Sequence, residues 1–184
     1  MAINRDYDIA FVGLVPGIHE YNYEITDKFF ETFQQQDFTD CHANVKLFLD
    51  KKSSFMLLKF EIGGYLMVNC DRCNNDLKLE LWDEFNITVK MVDEPDLMNE
   101  EEGDPDVFYI SRGESHINIE NLIYEFINLS IPMHKVCGYN DPNGQQCNED
   151  ALKMLLKLEE KQMIKPDVNP IWKELEKFKN KKDS

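Results

Sequence analysis

The sequence predicts an α+β fold: a twisted antiparallel sheet, able to close toward a barrel, with one helix packed on it and further helices at the C-terminal end. Three observations carry this. Short runs of β-branched and aromatic residues with partial alternation fill residues 9 to 89. An acidic stretch then breaks the pattern, and beyond it apolar residues recur at helical spacing.

Taken in order, Ile9-Ala10-Phe11-Val12-Gly13-Leu14, the run from His19 to Ile25, and Ala43-Asn44-Val45-Lys46-Leu47-Phe48-Leu49 read as strands. Between the second and third, Thr26 or Asp27 can cap a short helix over Phe29-Phe30-Glu31-Thr32-Phe33. Phe55 to Ile62 is a further strand, and Gly63-Gly64 separates it from Tyr65-Leu66-Met67-Val68 as a hairpin signal. Leu77 to Val89 alternates over its whole length and predicts one long strand.

Between Asp93 and Asp106 eight of fourteen residues are acidic and none is basic, so mutual repulsion predicts a mobile loop. Val107-Phe108-Tyr109-Ile110 reads as a returning strand. Asn118 then caps a helix whose Ile119, Leu122, Ile123, Phe126 and Ile127 share one face, and Pro132 ends it. Asp141-Pro142-Asn143-Gly144 is a turn, Asp150 to Lys161 a second amphipathic helix, and Ile171 to Lys179 a short terminal one. The expected organisation is a single α+β domain over residues 1–165, with a C-terminal helix and Lys-rich tail over 166–184.

Lys and Arg total 20 against 35 Asp and Glu, a formal net charge of -15, so the surface as a whole repels nucleic acid. The N-terminal Met1-Ala2-Ile3-Asn4-Arg5-Asp6-Tyr7-Asp8 carries early acids and no apolar signal stretch, and no segment reaches the roughly 18 apolar residues of a membrane span. A cytoplasmic protein without membrane contact is the expectation. Five cysteines, an odd number, argue against a disulfide framework.

Cys70-Asp71-Arg72-Cys73 follows a strand pattern and precedes a polar turn, the arrangement by which two thiolates grip a tetrahedral ion from a tight knuckle. Cys137 and Cys147 can supply the other two sulfurs of one structural zinc site. The nine residues between them exceed the usual spacing of about two to four, so an unmetallated knuckle with two separate thiols is the alternative. His134 is a substitute ligand candidate, and Cys41, at the start of a strand pattern, reads as core filler. The knuckle opens no helix, which argues against a thioredoxin-like redox centre. There is no GxSxG elbow, P-loop, GxGxxG or HExxH pattern, and the carboxylates concentrate in the acidic stretch, so the sequence reads as non-enzymatic. The terminal run from Asn169 to Lys182 reverses the charge of the chain and sets Ile171, Trp172, Leu175 and Phe178 among lysines.

The order of these features, with Gly13-Leu14 near the start, Cys70-Asp71-Arg72-Cys73, the acidic stretch, the helix closing in Leu129-Ser130-Ile131-Pro132, a cysteine-containing loop and Asn169-Pro170-Ile171-Trp172, resembles the bacterial YceD family over nearly the whole chain. The resemblance implies a factor without enzymatic activity that supports accumulation of large-subunit ribosomal RNA in ribosome biogenesis. The sequence departs from the family pattern in two places. The loop after the Leu-x-x-Pro helix keeps only Cys137 and Cys147 where many members carry several closely spaced cysteines, and Ile171 stands where a basic residue is usual.

The expected partners are ribosomal proteins or the pre-ribosomal large subunit, with ribosomal RNA disfavoured by net charge. Arg72, Trp172, Lys173 and Lys177 are the contact candidates. The alternative is a zinc-stabilised adaptor between two cytoplasmic proteins unrelated to the ribosome.

Overall fold

The computed structural model describes residues 5–100, 104, 106–138 and 146–163. Its centre is a five-stranded sheet of β2 (Gly17–Thr26), β3 (Phe38–Lys51), β4 (Phe55–Asn69), β5 (Asp76–Val92) and β6 (Val107–Ser111), in that spatial order. A two-stranded ribbon of β1 (Asp8–Ile9) and β7 (Ile117–Asn118) lies apart from it. The helices are α1 (Asp27–Phe30), α2 (Pro95–Glu100), α3 (Glu120–Leu129) and α4 (Glu149–Met163). This is the predicted α+β class. The described strands form an open sheet, with β2 and β6 at opposite edges.

Period-two alternation decides which face is buried. Val45, Leu47 and Leu49 of β3, Met56, Leu58, Phe60 and Ile62 of β4, and Leu79, Leu81, Ile87 and Val89 of β5 all point to one side and are buried. Helix α3 covers that side with Ile123, Phe126 and Ile127. Its Phe126 ring stacks on Phe85 at 4.4 Å and meets Phe60 edge to face at 5.0 Å. Burying each such side chain stabilises the fold by about 1.5–3 kcal/mol. The N-cap position of the helix is Ile119, one residue after the expected Asn118, whose side-chain oxygen still accepts the Glu120 N–H at 2.9 Å.

Four expectations change. The first concerns Ile9–Leu14, of which only Asp8–Ile9 pairs as a strand. The Lys51 ammonium instead donates to the carbonyls of Phe11, Val12 and Leu14 at 2.8, 3.2 and 2.8 Å, satisfying backbone groups that a partner strand would otherwise take.

The second is the Gly63-Gly64 hairpin. Both glycines lie inside the single strand β4, with Gly63 opposite Asn44 and Gly64 opposite Ala43. The partner strand explains them: Thr39 faces Met67 and His42 faces Tyr65, so Asp40 and Cys41 together oppose Leu66 in a β-bulge. Asp40 has φ 49, and Asp27 accepts the Cys41 N–H at 2.8 Å. The bulge drives the β3 backbone onto Gly64, where a Cβ would lie 2.1 Å from the His42 oxygen.

The third is strand direction. β2 to β5 are antiparallel, but β6 runs parallel to β5, pairing Thr88 with Val107 through Val92 with Ser111. The fourth explains it: the acidic stretch predicted as a loop contains α2, and residues 93–106 make the crossover that a parallel neighbour requires. Asn99 of α2 bonds both the N–H and the carbonyl of Tyr109, at 3.0 and 2.9 Å, and so occupies backbone groups of β6.

No helix among the described residues is long and apolar enough to cross a membrane. The predicted turn at 141–144, the domain boundary at 165/166 and the terminal helix with Trp172, Lys173 and Lys177 lie outside the described residues.

Candidate metal centre

The turn between β4 and β5 is the cysteine knuckle itself. Asn69 pairs with Asp76, leaving Cys70 to Asn75 as the connection. The Cys70 N–H donates to the Asn75 carbonyl at 2.9 Å and the Asn74 N–H to the Cys70 carbonyl at 2.8 Å, closing the turn, while Asn74 takes the left-handed conformation at φ 59.

Helix α3 delivers the second half. After Pro132 the chain returns to the knuckle, where Asp71 and Lys135 exchange two hydrogen bonds of 2.7 Å that place Cys137 against Cys70. Cys147 lies directly before Asn148, whose side chain accepts the Asp150 N–H at 2.9 Å and caps α4.

The sulfurs of Cys70, Cys73, Cys137 and Cys147 all lie within 4.8 Å of one another. Cys70 and Cys147 are 3.8 Å apart, as are Cys73 and Cys137. With metal–sulfur bonds of about 2.3 Å, a tetrahedral zinc site has sulfur–sulfur edges of roughly 3.8 Å, so the donor set fits that ion in number, type and separation. It also leaves no position for a substrate, as in sites whose role is structural.

The backbone prepares the first thiolate. Burial opposes ionisation of Cys70, but the N–H groups of Cys137, Arg72 and Cys73 outweigh it and bring the thiol down to about 6. The Cys137 N–H lies 3.4 Å from that sulfur. Cys137 itself is driven up to about 12, first by burial and then by its contacts with the other three sulfurs. Cys147 is also raised, burial again leading. Without a cation the Cys137 and Cys147 thiols therefore hold their protons beside the Cys70 sulfur, and a positive charge at the centre would favour their ionisation.

The predicted ligands thus come together. His134 is exposed and outside the cluster, and Cys41 is 1% exposed in the core, as the sequence suggested. Arg72 is exposed at the rim of a cleft of about 460 Å³ that Cys70, Asp71 and Lys135 also line. Its side chain is beside the centre without being part of it. The clip between Asp71 and Lys135 was missed; the available signal was an aspartate between two knuckle cysteines, a residue type that bonds nearby backbone N–H groups.

A family model described as large ribosomal RNA subunit accumulation protein YceD matches residues 58–179. All four cysteines fall inside that span. No curated protein and no solved structure gives a match.

Proposed function

The chain belongs to the YceD family of large ribosomal RNA subunit accumulation proteins, and on that premise we propose that it is a non-enzymatic, cytoplasmic ribosome-biogenesis factor that binds ribosomal protein or large-subunit precursor around a structural zinc centre. The observation carrying this reading is that a four-thiol cluster of tetrahedral dimensions lies within the family-matched region. Cys70, Cys73, Cys137 and Cys147 would hold the ion, whose role would be structural cross-linking of the β4–β5 turn, the segment after α3 and the start of α4. The centre is anionic when loaded, and Arg72 and Lys135 sit beside it to offset that charge and to offer contacts to a partner. In the sequence, Trp172, Lys173 and Lys177 bring aromatic and basic residues to a chain of net charge -15, and they are the further contact candidates. That acidity favours a basic ribosomal protein over bare RNA as the main contact.

Sedimentation of extract from cells carrying tagged protein tests the reading. Co-migration with large-subunit precursors at low salt, and loss of those precursors or of large-subunit RNA on deletion, are expected. Tagged protein wholly in the free fraction, with precursors unchanged on deletion, would overturn it. Affinity capture of one enzyme unrelated to the ribosome would favour the adaptor reading instead.

A further inference from the structure

Along β5, Glu80, Trp82 and Glu84 point away from the core, because Leu79 and Leu81 between them are buried. Trp82 is 85% exposed. Across the sheet it lies in one row with Gly63, Asn44 and Glu24. A Cβ at Gly63 would meet nothing within 4 Å, so the surface opposite the indole is open.

Two further features surround this ring. Glu80 and Glu24 make no ion pair among the described residues, and Lys59 is shared between Glu61 at 2.7 Å and Glu84 at 3.1 Å. Moreover, β6 takes up β5 only from Thr88 to Val92, so among the described residues no strand pairs with the outer edge of β5 before Thr88.

We propose that Trp82, flanked by Glu80 and Glu84 on the open edge of β5, is a docking site for an extended, arginine-bearing segment of a basic protein. A planar guanidinium can stack on an indole while donating to carboxylates on either side, and an extended backbone can pair with a free strand edge. The charges select against other occupants. Residues 76–86 carry four carboxylates and one lysine, so pairing this edge with a second copy sets like charges together. The same carboxylates repel nucleic acid. The chain's own residues 164–184 contain lysines but no arginine. This inference rests on the biogenesis reading for the class of partner, but its test uses purified components, so its failure leaves the sedimentation result untouched.

The full-length chain with Trp172→Phe keeps Trp82 as its single indole, since the sequence has two tryptophans. Titration at low salt with a deca-arginine peptide should change Trp82 emission saturably, and a deca-lysine peptide should bind at least about fivefold more weakly. In the otherwise native chain, followed by calorimetry, Trp82→Ala should lose about tenfold in affinity for deca-arginine, with Trp82→Phe between the two. Equal binding of both peptides without an emission change would reduce the effect to bulk charge and overturn the proposal. So would slow acrylamide quenching of Trp82 in the free chain, because residues 164–184 or a second copy would then already cover it.

Discussion

Asp71 holds Lys135 through two hydrogen bonds: its N–H donates to the Lys135 carbonyl at 2.7 Å, and its carboxylate accepts the Lys135 N–H at 2.7 Å. A residue of the β4–β5 turn is thereby fixed to the segment that carries Cys137. Asp71→Ala removes the carboxylate half of this clip, and metal affinity, read by competition with a chromophoric chelator, should fall about tenfold or more. Asp71→Asn retains an acceptor and should recover part of the loss.

The bulge in β3 makes a contrast between adjacent glycines. Gly64 has φ +122, and a Cβ there would lie 2.1 Å from the His42 oxygen and 2.9 Å from the Ala43 Cα. Gly64→Ala should cost about 2–4 kcal/mol in chemical denaturation, whereas Gly63→Ala, with open space around it, should stay within about 1 kcal/mol.

Lys51 substitutes for a strand partner. Its ammonium bonds the Phe11, Val12 and Leu14 carbonyls, so Lys51→Gln should destabilise the protein by about 1.5–3 kcal/mol. Hydrogen exchange should report the change first as lost protection in residues 9–14, before the central strands are affected.

Burial pushes the Cys41 thiol from 9.0 up to about 11. The unfolded chain releases this proton near 9.0 while the folded chain keeps it to about 11, so the stability it contributes is complete below the lower value and is lost as pH rises through that window. The free energy of unfolding, measured by chemical denaturation, should fall less steeply between these pH values in Cys41→Ala than in the unmodified chain. At pH 8 in the chelated protein, iodoacetamide should label the buried Cys41 more slowly than the partly exposed Cys73.

The long strands and the face of α3 were legible because their information is local: alternation from Leu77 to Val89, and helical spacing from Ile119 to Ile127. The knuckle was legible for the same reason, since Cys70 and Cys73 lie between two strand patterns. What was not legible depends on partners distant in sequence. Gly63-Gly64 reads as a turn until Asp40 and Cys41 are seen to bulge against Leu66. Five residues of β6 carry no mark of direction, and only the helix at Pro95–Glu100 turns them parallel. The exposure of Trp82 could have been anticipated, because placing Leu79 and Leu81 in the core puts it on the opposite face; the open surface at Gly63 required the register between β4 and β5.

Native mass spectrometry of the purified full-length chain, with and without a chelator, tests the central claim most directly. One zinc per chain, removed by the chelator and absent from Cys147→Ser, is the predicted result. A metal-free chain of unchanged stability in chelator would contradict it, and Cys70, Cys73, Cys137 and Cys147 would then be packed thiols rather than the centre that joins the β4–β5 turn to the helices.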